Sequence, residues 1–587
     1  MVSRLPLAGG GGVGVAERAV AAPSLRWQQA TVEARRAWAL LDARPREVLG
    51  GLVLVQWLAV LAWALTVRHN AWLYYQGGDQ TYYWSSAWAM AHGHIPQSSI
   101  GFGWPLVLLP FAGIVGANVI AGLPPVVLLQ TLVLLPVGLL AVYGIGTRIS
   151  GRAIGYLAAA GWIAAPFIAI PAFRQDYHER WTEQFLSQAF GFTGLADFAS
   201  MILVVCAAYV FLRALETGAD ADAVVSGLIT GFAIGVKPAN VLFAAGPALA
   251  VLVARCWRVA LVYSVALIPG AVALALWKQK GLGEIPLLHA TAVPTGAASA
   301  APPLAVSIPD SINLDWGHLG ENLAQLREFF WSMRLVEVLP FAGLIAVARA
   351  SWMKTAFFGG WLGAFVVIKG TSHSTAIENA TFFRLLMPAW PAYLLLAACL
   401  PLLVPGVARR LRAQVPRVRP LALRSAPVAV AAVVLALVPL AAMAALPPDR
   451  SGAVIEDFDF NTTVAERDFG LRAVRHGRNV VLTWRPQQSG PTRVFYRVYW
   501  SPSAGQAPIG GVGPYRDGIA CLPSSGGATV CRVLMELLPP TRATTFAHSP
   551  PPGSWTYRVG LLANWADDEA QGDVLLLSEP VRVRVRP

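Results

Sequence analysis

Four stretches of the chain hold the residues whose types and spacing could do chemistry. The first, GGDQTYYWSSAWAMAHGHIP at 77–96, carries Asp79, Tyr82, Tyr83, Trp84 and Trp88. Asp79 reads either as the N-cap of an interfacial amphipathic helix or as a carboxylate held at a membrane surface as a general base. The second, 173–198, carries Asp176, His178, Glu179, Glu183 and Asp197. Most of these charges suit a solvated loop. Asp197 differs, because it stands at the mouth of an apolar run, where a lone carboxylate is costly unless paired or used. The third is Lys237-Pro238, which interrupts an apolar run. This lysine reads as a snorkelling interfacial residue or as a cation facing a phosphate. The fourth, 369–391, carries Lys369, His373 and Arg384 ahead of a proline-containing apolar helix. Arg384 reads as a lipid-headgroup anchor or as a clamp on a phosphate or pyrophosphate.

The elements that must position these groups are membrane helices. Apolar residues make up 56% of the chain and charged ones 13%, about half the charge of a soluble domain. A span needs about 20 apolar residues. Runs that approach or meet this lie near 48–67, 105–120, 123–145, 152–171, 198–215, 224–254, 258–277, 336–349, 355–369, 387–405 and 427–446. We expect a polytopic α-helical membrane protein of about eleven transmembrane helices. The 105–120 run is short and reads as interfacial or spanning. Proline cannot continue the helical bonds, so Lys237-Pro238 splits 224–254 into two half-length or tilted helices.

The net charge of +13 sits in short segments flanking the apolar runs, which marks membrane orientation rather than a nucleic-acid partner. Arg35, Arg36, Arg44 and Arg46 place the N-terminal segment, 1–46, in the cytoplasm. Arg148 with Arg152, Arg255 with Arg258, and the series Arg409, Arg410, Arg412, Arg417 and Arg419 mark further cytoplasmic turns. The loops at 68–104, 172–197, 278–335 and 370–386 then face outside, as does the C-terminal region if the spans are odd in number. No cleavable signal peptide is expected, and the first span serves as an anchor. The stretch 287–308, rich in Ala, Pro, Ser and Thr, reads as a mobile external loop.

The transmembrane domain is expected over 47–446 and an extracytoplasmic all-β sandwich domain over 447–587. In the latter, NVVLTW at 479–484, TRVFYRVYW at 492–500, SWTYRVGLL at 554–562 and PVRVRVR at 580–586 alternate apolar and polar residues as half-buried strands do. The LTW, YRVYW and YRVGL segments resemble a fibronectin type III domain. Cys206, Cys256 and Cys399 lie singly in apolar runs, whereas Cys521 and Cys531 are close together in the β region, where a disulfide is plausible if the region is exported.

Taken together, five segments resemble the GT-C class of membrane glycosyltransferases, which includes protein O-mannosyltransferases and the enzymes that add aminoarabinose to lipid A. They are GGDQTYY, GHIPQSSIGFGWP, GLADFASMILVVCAAYVFLRALETG, GLITGFAIGVKPANVLF and FFRLLMPAWPAYLLLAA. The resemblance covers about 48–405. It implies a polyprenyl-phosphate-linked sugar donor and transfer, with inversion, to an acceptor hydroxyl on the outer face. By that match Asp79 is the base and Asp197 a second acid that orients acceptor or donor. Lys237 and Arg384 hold the lipid phosphate with Lys369 and His373 beside them, and Tyr82, Tyr83, His178 and Glu179 line the substrate site. Many members carry two adjacent acids where this chain has Asp79-Gln80, which weighs against a paired-acid metal site. No cofactor is assigned, and a divalent metal stays open. The acceptor is a glycan, a lipid or a protein, and the setting is a bacterial inner membrane, in keeping with a composition rich in Ala, Gly, Arg and Val. The alternatives are a transporter or flippase of polyprenyl-linked saccharides, or a scaffold that presents the β-domain.

Overall fold

The computed structural model describes residues 41–66, 79–96, 100–116, 119–282, 314–330, 333–378, 380–412, 415–422 and 425–448. Within the C-terminal region it describes 454–457, 460–463, 466–487, 494–503, 515–516, 519–523, 529–533, 536–537, 541–563 and 573–586. The stretch expected to be a mobile loop, 287–308, and most of the basic N-terminal segment lie outside the described residues. The chain divides into two compact units, Met1–Leu58 and Ala59–Pro587.

Apolar run length sets the helices. They are α1 (Pro45–Thr66), α2 (Asp79–Ala91), α3 (Gly103–Val115), α4 (Gly122–Ser150), α5 (Arg152–Ala172), α6 (Ala196–Thr217), α7 (Asp220–Val236), α8 (Pro238–Ala254), α9 (Trp257–Leu282), α10 (Trp316–Phe329), α11 (Met333–Ala348), α12 (Trp352–Gly370), α13 (Thr381–Ala398) and α14 (Ala426–Ala445). Among the described residues seven helices are long and apolar enough to cross a membrane: α1, α4, α5, α6, α9, α13 and α14. The chain is thus built as a multi-pass membrane protein. α3, the short run, is 13 residues long, or about 20 Å at 1.5 Å per residue, which is less than a bilayer core.

The break at Lys237 is present. α7 ends at Val236, Lys237 is extended at φ −141 and ψ 109, and Pro238 opens a 3-10 segment. A stripe of glycines at i, i+4 leads up to it. A Cβ on Gly227 would lie 2.4 Å from the Tyr263 carbonyl oxygen, and one on Gly231 2.8 Å from that of Leu267. Small residues at this spacing let two backbones approach, so α7 lies against α9 and fixes where Lys237 emerges.

The helices define two polar ends. α6 runs from Ala196, beside Asp197, to Thr217, and α7 returns from Asp220 to Val236, beside Lys237. At about 1.5 Å per residue, the 22 residues of α6 separate the ends by about 33 Å, a bilayer core's thickness. At one end Glu216 accepts from Arg148 at 3.1 Å and Lys354 at 2.7 Å, and buried Asp222 pairs with Arg213 at 3.0 Å. Asp222 also accepts the Leu421 N–H at 3.3 Å, which ties the arginine-rich segment to this end. The other end gathers Asp79, Asp197, Lys237, Lys369 and Arg384.

The C-terminal region leaves from that second end. Lys280 of α9 donates to the carbonyls of Ala444 and Leu446 at the close of α14, each at 2.8 Å. The Ile95 N–H, four residues after α2, donates to the Pro447 carbonyl at 2.8 Å. Beyond this point the chain forms sheets, and the four strands read from sequence are present: β1 (Asn479–Thr483), β2 (Val494–Pro502), β3 (Gly553–Ala563) and β4 (Val581–Val585). β3 pairs antiparallel with both β2 and β4. One face of this pairing buries Val498, Trp500, Trp555, Tyr557, Val559 and Leu561. Among the described residues the strands make three sheets. In one of them Cys521 and Cys531 are direct register partners across an antiparallel pair.

Candidate functional site

Asp197 is the centre of the site. It lies in the first turn of α6, where the helix N-terminus favours a carboxylate, and its side chain is 1% exposed. The segment that delivers it, 191–195, is clamped by three long polar side chains. Gln80 Oε1 accepts the Gly194 N–H at 2.8 Å, Trp104 Nε1 donates to the Gly194 carbonyl at 2.8 Å, and Gln130 Nε2 donates to that of Thr193 at 2.7 Å. Gln130 opens a π-helical turn in α4. Such insertions recur at functional positions.

Four charged side chains meet here. Lys237 Nζ bonds Asp197 Oδ1, Arg384 Nε bonds Asp197 Oδ2 at 3.1 Å, and Arg384 Nη2 bonds Asp79 Oδ2. Arg384 thus bridges two carboxylates, while Asp197 is shared by two cations. Arg384 and Asp79 are each 23% exposed at the side chain and Lys237 is 14% exposed, so the cluster opens on the Asp79–Arg384 side. Lys369, half-buried at the end of α12, lies within electrostatic range of Lys237. With Lys369 included, three cations face two carboxylates.

Each partner is held by local structure. Asn240 donates to Ser200 Oγ at 2.7 Å and to the Ala233 carbonyl at 2.6 Å, which fastens the break after Lys237 to α6 one turn beyond Asp197. Gly101 and Gly103 let the turn before α3 press on the end of α7: a Cβ on Gly101 would lie 2.2 Å from the Gly235 carbonyl oxygen. Arg384 is set by an aromatic floor. Its neighbour Phe383 packs on Trp181 at 5.1 Å, Phe185 at 5.6 Å and Trp390 at 6.2 Å between centroids. The turn before α13 places Ala380 at φ 60, a left-handed conformation that costs a non-glycine residue about 1–3 kcal/mol and collects at functional sites.

Asp79, Asp197, Lys237 and Arg384, singled out in the sequence on four separate segments, therefore come together. Tyr83 lies beside them. It is buried, and that burial, with the nearby carboxylates of Asp79 and Asp197, raises its hydroxyl well above the ordinary phenol range and keeps it neutral. Tyr82 is half-buried on the same helix. Of three other expected residues, two are engaged elsewhere and one is exposed. His373 pairs with Asp315 at 3.2 Å, and its ring lies tilted against that of His318, 4.8 Å between centroids. Asp315 caps α10 by accepting the His318 N–H, and this bond, the leading cause, holds its carboxyl below the usual range. His178 Nε2 bonds the Phe173 carbonyl at 2.6 Å, and Glu179 is exposed. Among the described residues no three His, Cys, Asp or Glu side chains are grouped to hold a metal ion.

No protein-family model matches the chain, and no curated protein does. Among solved structures, the chain is similar to the Archaeoglobus fulgidus oligosaccharyltransferase in its apo form, at 13% identity and a TM-score of 0.34. It is likewise similar to the oligosaccharyltransferase AglB from the same organism, in complex with an inhibitory peptide and a dolichol-phosphate, at 13% identity and a TM-score of 0.36. Each match covers 69% of this chain and 57% of the other, so the chain spans less than two thirds of the length of the structures it matches. At that level of agreement no residue or ligand is transferred from them.

Proposed function

We propose that this protein is a membrane glycosyltransferase of the GT-C class, which moves a sugar from a polyprenyl-phosphate-linked donor to an acceptor hydroxyl with inversion. The observation that carries it is the cluster itself. Two carboxylates and three cations, from four helices and the break after α7, gather at one end of a bundle of apolar helices. A lipid-borne anion reaches such a place from the bilayer, and a polar acceptor reaches it from water.

Asp79 takes the proton of the acceptor hydroxyl. The acceptor oxygen forms a bond to the sugar's anomeric carbon, and the bond from that carbon to the phosphate oxygen breaks. The lipid phosphate leaves with the electron pair. Charge grows on it as the bond breaks, so cations aimed at that oxygen stabilise the transition state more than the ground state. Arg384 and Lys369 fill this role, and Lys237 keeps Asp197 neutralised beneath them. Arg384 offers a planar fork suited to a phosphodiester. Asp197 is too buried and too well paired to move protons and acts by fixing Arg384 and Lys237.

In this reading α7, α8, α11 and α12 also lie in the bilayer and bring the spanning helices to the eleven expected. The site faces the outside, and the β region, fibronectin-like in its strand pattern, stands over it.

The test uses the full chain in lipid nanodiscs with a radiolabelled polyprenyl-phosphate sugar and a glycan acceptor. Asp79→Asn should lower the transfer rate by about 10²–10⁴-fold, the usual contribution of a positioned base, while still binding the donor lipid. Wild-type transfer rates in Asp79→Asn would refute the mechanism.

A further inference from the structure

The pairing pattern in the cluster is unequal. Asp197 is held by both Lys237 and Arg384. Asp79 is held by Arg384, and among the described residues it has no second partner. Arg384 uses Nε and Nη2 on these carboxylates, and among the described residues Nη1 bonds nothing. The Lys369 ammonium likewise makes no hydrogen bond or ion pair among them, although it lies within electrostatic range of Lys237. The site thus offers an arriving anion one free ammonium and one free guanidinium nitrogen. If Arg384 swings to that anion, Asp197 stays neutralised by Lys237, but Asp79 loses its counter-cation.

We propose that the donor's phosphate unmasks the base: the phosphodiester draws Arg384 off Asp79 with help from Lys369, so that Asp79 accepts the acceptor's proton only in donor-loaded protein. This rests on the glycosyltransferase reading above and deepens it. A carboxylate in an ion pair is a poor proton acceptor because protonation forfeits the pair. A phosphodiester presents two oxygens that match the guanidinium fork, and charge-assisted bonds of this kind are strong where water is scarce. The exchange keeps every charge partnered except the one that must react. It predicts that donor binds before acceptor. It also means that the empty enzyme does not deprotonate water or a bystander hydroxyl.

The assay labels carboxyl groups with dicyclohexylcarbodiimide in the full-length protein, reconstituted in phosphatidylcholine nanodiscs. A protonated carboxyl adds through oxygen to the carbodiimide carbon and gives its proton to nitrogen. The adduct rearranges to a stable N-acylurea, which peptide mass spectrometry locates. A paired carboxylate is protected. An undecaprenyl-phosphate-linked sugar, the phosphodiester itself, supplied without acceptor, should raise labelling of Asp79 several-fold and leave Asp197 unlabelled. Inorganic phosphate, or phosphatidylglycerol in the bilayer, should not raise it. Arg384→Gln should label at Asp79 with or without the lipid. Lys369→Gln, which breaks no pair seen in the structure, should need more lipid for the same rise.

Asp79 labelling that is indifferent to the lipid, while native mass spectrometry shows the lipid bound, overturns the proposal. So does an equal rise with inorganic phosphate or phosphatidylglycerol. If the protein transfers sugar and labelling does not respond, the unmasking is wrong and the glycosyltransferase reading stands. If labelling responds but no polyprenyl-linked sugar is ever transferred, the reverse holds.

Discussion

The pairing around Asp197 can be tested by a cycle of substitutions. Asp197→Asn keeps the shape of a side chain that is 1% exposed and removes its charge. Lys237 and Arg384 then lose the carboxylate they share, and the cluster, with Lys369, goes from one excess positive charge to two. Breaking a buried pair by removing one partner costs about 3–5 kcal/mol, because the remaining charge stays buried without compensation. Lys237→Met alone is milder, because Asp197 keeps Arg384 at 3.1 Å. In the double variant Lys237 is no longer present to be stranded. Its cost should therefore stay near that of Asp197→Asn alone, which gives a coupling of about 1–3 kcal/mol, as interacting neighbours show. Equilibrium unfolding in mixed micelles, followed by tryptophan fluorescence, measures all four corners. If the two costs add to within about 0.5 kcal/mol, the behaviour of independent sites, then the pair does not exist as described and the account of the site fails with it.

Two further outcomes are expected. Gly101→Ala should destabilise the protein by about 1–3 kcal/mol through overpacking, since its Cβ would meet the Gly235 carbonyl oxygen at 2.2 Å and nothing there can rotate away; an unchanged melting temperature would refute this close approach. His548 is lowered from its ordinary value of 6.5 by burial, so the folded state binds its proton less readily than the unfolded chain does. Stability of the β region should therefore fall as pH drops below about 6.5 and level off once the folded form also protonates. His548→Gln should flatten that fall in near-ultraviolet circular dichroism melts, and an identical acid profile in the variant would refute it.

How much of this was legible in the sequence depends on the distance over which each interaction acts. The break at Lys237-Pro238 was legible because proline and a charge in an apolar run have few structural solutions. Asp197 and Arg384 stood out for the same reason. The β2, β3 and β4 strands were visible through their period of two. The Asp79–Arg384 pair was not, since 305 residues separate the partners and no local pattern encodes that meeting. The role of Gln80 was also hidden. Beside Asp79 it read only as the absence of a second acid, whereas in the structure it holds Gly194 and through it the start of α6. His178 shows the opposite effect. The family resemblance put His178 in the substrate site, but its ring is taken up by a carbonyl five residues away. His373 lay in a plausible segment, yet α10 brings Asp315 to it, and sequence gave no sign of where that helix would dock.

The tie between Ile95 and Pro447 has a consequence for biosynthesis. The segment bearing Asp79 leaves the ribosome early, but its ionic partner follows 305 residues later, and its main-chain partner comes only after α14. At ~5–20 residues per second, Asp79 waits roughly 15–60 s for Arg384. During that interval Asp79 lacks the guanidinium that holds it in the folded chain. The site is assembled last, so a nascent chain truncated before α14 contains every residue of the cluster and yet lacks the clasp that seats α2.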